Sequence, residues 1–283
     1  GVSMLSTTDP EGDVAPRDIE AAKRKGRRIV AKTPTILAAY DRLRRGKEPV
    51  APSEELSHAA NFLYMLSGEK PGAVATETFD MALTLHADHG LNASTFTAMV
   101  VASTFADVYS SVTGGIGALS GPLHGGANQD VMQALFDLDE SDMTAREWVE
   151  DVVDRGERVP GWGHRVYDVT DPRATLLRGK LQDLAEASGE TRWLDYTTTI
   201  SEYLVDEQQL TQKGVAPNVD FYSGSVYYQL GIPIDMYTPI FAMARTGGWL
   251  AHVFEYQADN RLIRPRAEYV GPRQRSFAPL GER

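Results

Sequence analysis

Apolar residues recur three and four positions apart along nearly the whole of this chain, while strict alternation never lasts more than a few residues. The first spacing lays side chains along one stripe of an α-helix; the second is what a half-buried strand needs. The pattern therefore predicts an all-α fold, and 283 residues are enough to bury a large core in one or two domains. Ile19, Ala22, Ile29 and Val30 mark a helix over 17–32. Thr33-Pro34 then reads as the start of a second helix through Ile36, Leu37, Tyr40 and Leu43, since proline suits a first turn. Ser53 reads as the N-cap of a helix that reaches Leu66 and stops at Gly68. Further helices are predicted over 75–87, 94–112, 126–137, 144–154 with Thr144 as its cap, 172–187, 192–208, 218–230 and 238–257. A short strand-like piece lies near 262–270, and the turn-rich stretches 113–126, 157–163 and 209–217 are candidate hinges.

The net charge of −11 argues against nucleic acid, because nothing offsets phosphate repulsion. Of the 28 basic residues only 7 are lysine. An acidic surface poor in lysine is what a protein working in high salt shows; a GC-rich genome produces the same bias. Without cysteine there is no disulfide, no thiol catalysis and no cysteine-type zinc site. No run of about 18 uncharged apolar residues suggests a membrane span. No signal peptide is visible, so a cytoplasmic location is expected. The opening GVSMLS reads as the middle of something, so an N-terminal part is expected to be missing.

Four local contexts carry the chemistry: HADHGLNAST (86–95), GPLHGGAN (121–128), GWGHRVYDVTDPRA (161–174) and PNVDFYSG (217–224). Each sets a titratable group among Gly, Pro or Asn, where backbone can be held rigidly against a small ligand. His89, His124, His164 and Asp220 form the acid–base inventory of an enzyme that makes or breaks a C–H bond beside a carbonyl. His124 precedes a helix start, which favours a neutral imidazole able to donate to a developing enolate. Asp220 also lies at a helix start, and its pattern fits a shielded base or a simple N-cap equally well. Arg173, Arg245 and Arg264 supply fixed positive charge suited to a polycarboxylate. Arg245 interrupts an apolar helix, where a charge must be paired or liganded. His86, Asp88 and His89 also invite a metal reading, although the second close donor pair that such a site uses is absent. His58 and His252 read as structural.

Taken in order, these contexts resemble the successive active-site segments of the citrate synthase family, and IPIDMYTPIFAMARTGGWLAH and RLIRPR resemble its last two. The resemblance covers about residues 17–271. It implies an all-α fold with a large domain, 1–124 and 233–283, and a smaller mobile one, 125–232, that closes over the substrates. It implies a homodimer whose sites borrow an arginine from the partner, and no cofactor beyond a coenzyme A thioester as substrate. Asp220 would take a proton from the acetyl-CoA methyl while His124 donates to the thioester oxygen. His164 would donate to the oxaloacetate carbonyl and His89 would hydrogen-bond oxaloacetate. Arg173 and Arg245 would clamp carboxylates, and Arg264 would reach the neighbouring subunit's substrate. One departure stands out: after GHRVY this chain carries Asp168 where the family usually has Lys or another polar residue. Arg165 and Lys213 are the candidates to offset its repulsion of coenzyme A phosphates, and high salt would screen it.

Three other readings stay open on sequence. One is a 2-methylcitrate synthase using propionyl-CoA, since one methylene is worth only about 1–3 kcal/mol in an apolar pocket. Another is a metal-dependent hydrolase built on His86, Asp88 and His89. The third is a chain that only dimerises.

Overall fold

In the computed structural model, residues 1–12, 17–163 and 169–282 are described. Among them there is no strand; an isolated β-bridge joins Trp162 to Pro217. The helices are α1 (Val2–Leu5), α2 (Ile19–Arg44), α3 (His58–Ser67), α4 (Ala73–His86), α5 (Ala93–Ala102) and α6 (Val108–Leu119). They continue with α7 (Ala127–Asp139), α8 (Ala145–Asp154), α9 (Pro172–Ser188), α10 (Arg192–Glu202), α11 (Val219–Gln229) and α12 (Tyr237–Ala258). The all-α expectation holds.

Two buried apolar clusters organise these helices. The larger joins α3 and α4 to α7–α11 and the first half of α12, through residues such as Phe62, Phe79, Met132, Leu177, Leu181, Tyr227 and Ile240. The smaller gathers Ala22 and Ile29 of α2, Ala98 of α5, Val112 of α6, and Trp249, Leu250 and Val253 of α12. The 22-residue α12 therefore serves both clusters, each with one half of its length.

Several boundaries differ from those read off the sequence. Residues 17–44 do not break at Pro34: α2 is one 26-residue helix with Pro34 inside it and Asp18 capping it through the Ala21 N–H. The Thr33 hydroxyl donates to the Ile29 carbonyl at 2.7 Å, close to the groups that a proline disturbs. An interior proline costs about 3 kcal/mol. Packing of Ile29 into one cluster and Ala38 into the other outweighs it. The cap of α3 is Ser57 rather than Ser53, and Gly68 ends it in a left-handed conformation at φ 93°. The expected helix over 94–112 is two helices, α5 and α6, packed on each other. Asp107 caps α6 through the Ser110 N–H, and Phe105 turns the chain at φ 61°. Apolar residues on most sides hid this break, and α6 also removes the first half of 113–126 from the candidate hinges. The helix begun at Arg192 passes into a π-helical turn at Tyr203–Glu207. Residues 262–270 form no strand. The Asn260 amide and the Ile263 N–H are pinned to Ser103, and most of the segment beyond is exposed.

Thr144 and Glu147 form the reciprocal capping box that opens α8. Thr144→Ala should lower stability by about 1 kcal/mol without changing turnover. Urea unfolding would show a midpoint shift, and an unchanged midpoint would mean that the box contributes nothing.

Candidate active site

The site is built where helices begin and end. α4 finishes at His86, whose ring is fully buried and donates from Nδ1 to the Ala82 carbonyl at 2.7 Å. Burial pushes its pKa down to about 4, and the nearby Arg173 and Arg245 charges act in the same direction. His86 is therefore neutral, with its proton on Nδ1. The turn that follows carries Asp88 and the half-buried His89. Asp88 pairs with His252 at 3.1 Å, which gives His252 a partner beside the site. Burial raises the Asp88 pKa, but the Gly90 N–H and His252 together leave it below its usual value. α12 meets this turn backbone to backbone, the Gly248 N–H donating to the Ala87 carbonyl at 3.1 Å. A Cβ on Gly248 would stand 2.2 Å from that oxygen, so no other residue permits the approach.

Arg245 enters from α12. It is only 2% exposed, donates from Nε to the His86 carbonyl at 2.8 Å, and lies 4.8 Å over the Phe241 ring. Burial lowers its pKa to about 10, so it stays cationic at neutral pH. His124, in the turn before α7, has its Nε2 2.8 Å from the Ser94 hydroxyl, which also accepts from the Trp249 indole at 3.1 Å. Burial and then the Arg245 charge push the His124 pKa down. Ser94, inside the 86–95 context, escaped the sequence reading because a serine in the first turn of a helix carries no functional signal of its own.

At the start of α11, Asp220 is not the cap. Asn218 is the N-cap and accepts from the Asp220 N–H at 2.9 Å, so the Asp220 carboxylate is spared for other work. Burial raises its pKa to about 6. Arg173 and Arg245 pull it down, and Asp171 and Asp130 push it up. Arg173 opens α9 and is ion-paired to Asp171 at 2.7 Å, rather than solvated.

His164, Arg165 and Asp168 lie outside the described residues, but the chain on both sides of them is anchored to one place. The Gly163 N–H donates to the Ala216 carbonyl at 2.9 Å, the Asn218 amide to Gly163 at 3.0 Å, and the Asp171 N–H to Pro217 at 3.2 Å. Segment 161–171 thus starts and ends against 216–218, beside Asp220. Gly161, at φ 79°, sits where a Cβ would lie 2.8 Å from the Phe221 backbone.

Arg264 and Lys213 stand apart. Arg264 is exposed and its guanidinium reaches the adjacent Pro265 carbonyl at 3.5 Å. Lys213 donates to the Gln208 carbonyl at 2.9 Å and is exposed. Nor do His86, Asp88 and His89 form one donor set. Nδ1 of His86 is committed to Ala82 and Asp88 to His252, and no group of three acidic, His or Cys side chains suited to a metal occurs among the described residues. No helix among the described residues is long and apolar enough to cross a membrane.

Residues 1–266 match the citrate synthase C-terminal domain family. The chain is 59% identical over its full length to a citrate synthase of Haloferax volcanii and spans 73% of that protein. It is 39% identical to 2-methylcitrate synthase 1 of Corynebacterium glutamicum, over 100% of this chain and 73% of that protein. The fold superposes on the citrate synthase of Pyrobaculum aerophilum with a TM-score of 0.91 at 40% identity, covering 100% of this chain and 72% of that one. It also matches a Thermoplasma acidophilum citrate synthase in ternary complex with carboxymethyl coenzyme A and oxaloacetate, at TM-score 0.85 and 31% identity, covering 100% and 74%. Fold and relatives define an enzyme of acyl-transfer condensation. The chain belongs to the citrate synthase family.

A carboxyl whose folded pKa is raised from 3.8 to about 6 binds its proton more tightly in the folded state. It therefore destabilises the fold increasingly as pH rises from 3.8 through 6. Asp220→Asn should stabilise the protein at pH 8 by about 1–3 kcal/mol, with the gain shrinking toward pH 4. Denaturant unfolding at both pH values tests this, and an equal gain at each would show that its origin is not ionisation.

Proposed function

We propose that this chain carries the site that condenses acetyl-CoA with oxaloacetate and hydrolyses the resulting citryl-CoA to citrate and coenzyme A. The observation that carries the reading is Asp220: an uncapped carboxyl with a pKa near 6, facing two arginines. A general base works best with a pKa near the operating pH. Asp220 removes a proton from the thioester methyl. His124, neutral and seated against the Ser94 hydroxyl, acts as the hydrogen-bond donor to the thioester oxygen as the enol forms. The enol carbon attacks the oxaloacetate carbonyl carbon, and His164 supplies the proton to the new alkoxide. Water then cleaves the citryl thioester, releasing the thiol of coenzyme A. His89 hydrogen-bonds oxaloacetate, and Arg173 and Arg245 hold its carboxylates. The Thermoplasma enzyme, which binds oxaloacetate and a coenzyme A analogue on a similar fold, supports this substrate pair. The donor set needs no further cofactor. Arg165 and Lys213 would meet the coenzyme A phosphates, opposed by Asp168.

Residues 125–232 act as the small domain and close over a large domain of 1–124 and 233–283. Closure excludes water and completes the acetyl-CoA site after oxaloacetate has bound. The working unit is a homodimer in the cytoplasm, its net charge of −11 suited to high salt. Acetyl-CoA is preferred to propionyl-CoA in this reading because the 2-methylcitrate synthase relative is the more distant, 39% identical against 59%. Parallel thiol-release assays with the two thioesters decide it: faster turnover of propionyl-CoA would overturn the preference.

Asp220→Asn should reduce turnover by at least about a hundredfold, the range for a positioned acid–base group, while oxaloacetate binding changes little. Retained turnover with lost oxaloacetate affinity would refute the assignment. Arg264, exposed within its own chain, completes the partner's site in this proposal. Two inactive variants, Arg264→Ala and Asp220→Asn, should then recover up to about a quarter of wild-type activity when mixed and reassembled: half the dimers are mixed, and half of their sites are whole. Reassembled mixtures as inactive as their parents, with subunit exchange demonstrated, would put Arg264 to work in its own chain.

A further inference from the structure

Asp171 is fully buried and has no part in the chemistry described above. Its carboxylate grips Arg173 along one edge. Oδ1 accepts from the Arg173 backbone N–H at 2.9 Å and from Nε at 3.1 Å; Oδ2 accepts from Nη2 at 2.7 Å and from Nε at 3.2 Å. A guanidinium carries five N–H donors in a rigid plane. With the Nε edge engaged, the Nη1–Nη2 edge is left to present a fork to a second carboxylate. The same residue caps α9, and its backbone N–H donates to the Pro217 carbonyl at 3.2 Å, next to the Asn218 that caps α11 and holds the Asp220 N–H. One residue thus ties the start of the arginine-bearing helix to the start of the helix that carries Asp220.

We propose that Asp171 is a positioning residue for the reaction: its carboxylate aims the free edge of Arg173 at oxaloacetate and its backbone holds α9 in register with α11, so that the carboxylate clamp and the base are set by one group. The inference rests on the roles proposed above for Arg173 and Asp220. Electrostatics agree with the geometry. Among the described residues, the charged groups facing Asp220 are Arg173 of α9 and its cap Asp171, Arg245 from α12 and Asp130 from α7, while the buried Tyr227 hydroxyl lies along α11 itself. The two arginines make Asp220 more acidic and so a weaker base; Asp171 opposes them, with Asp130.

The test compares Asp171→Asn and Asp171→Glu with the wild type, reading KM for each substrate and the acid limb of the pH–rate profile. In Asp171→Asn the KM for oxaloacetate should rise about tenfold or more, the loss of a charge-assisted hydrogen bond, with the KM for acetyl-CoA much less affected. Its acid limb should move to lower pH by about half a unit or more, because an opposing negative charge near the base has gone. Asp171→Glu keeps the charge but not the reach, so its KM for oxaloacetate should rise while its acid limb stays in place. A folded Asp171→Asn enzyme with a wild-type KM for oxaloacetate and an unmoved limb overturns the proposal, even if it is less stable. If the Asn variant does not fold, an unchanged KM for oxaloacetate in the Glu variant overturns it. Asp220→Asn is measured alongside. An acid limb that survives in that variant refutes Asp220 as the base, a failure separate from that of Asp171.

Discussion

The buried guanidinium of Arg245 is the constraint around which the site is arranged. A cation held at 2% exposure in an apolar helix loses its hydration, and leaving such a charge uncompensated costs several kcal/mol. The compensation is spread over the His86 carbonyl, the face of the Phe241 ring, and the fields of Asp88 and Asp220. That arrangement acts on the other titratable groups in turn. The Arg245 charge helps to keep His86 and His124 neutral, and it draws the Asp220 pKa downward against the rise caused by burial. A neutral histidine that can donate and a carboxyl that can accept near neutral pH are what enolisation requires. Each owes its state first to its own burial, which the Arg245 charge reinforces at His124 and opposes at Asp220.

Helix ends do the positioning. Asn92, Asp171 and Asn218 each spend a side-chain oxygen on the first turn of α5, α9 and α11. Capping by these neighbours fixes the backbone on which Ser94, Arg173 and Asp220 sit and leaves the functional groups of Arg173 and Asp220 clear of capping duty. Ser94 then orients His124 from another helix. The ends are brought together by contacts that exclude a side chain: Gly248 against Ala87, and Gly161 against Phe221. A methyl group at either place would push apart the turns on which His89 and the segment before His164 depend. The cost of this design is visible at Asp220, which is less stable where it sits than a neutral amide would be at high pH. Function is held in place by the rest of the core.

Periodicity was enough for the fold class and most helix positions, because the three-to-four spacing of apolar residues reflects burial of one face and needs no knowledge of the partner. It failed where tertiary packing overrode local preference. Pro34 runs through α2 because both halves of that helix are buried. The break between α5 and α6 was masked because both helices are apolar on most sides, and Asp107 was the faint signal of it.

The four contexts, with their Gly, Pro and Asn neighbours, marked His89, His124, His164 and Asp220 from the sequence alone, since unusual backbone next to a titratable group is a local property. Whether Asp220 was base or cap was not local. The structure gives the cap to Asn218 and leaves Asp220 buried with a raised pKa. The neutrality of His86, the seating of His124 on Ser94, and the grip of Asp171 on Arg173 likewise came only with the tertiary structure. The sequence determined which chemical groups exist and that they ride on helices. Their protonation and aim depend on desolvation and on charges brought close from distant parts of the chain, and only the packed fold supplies those.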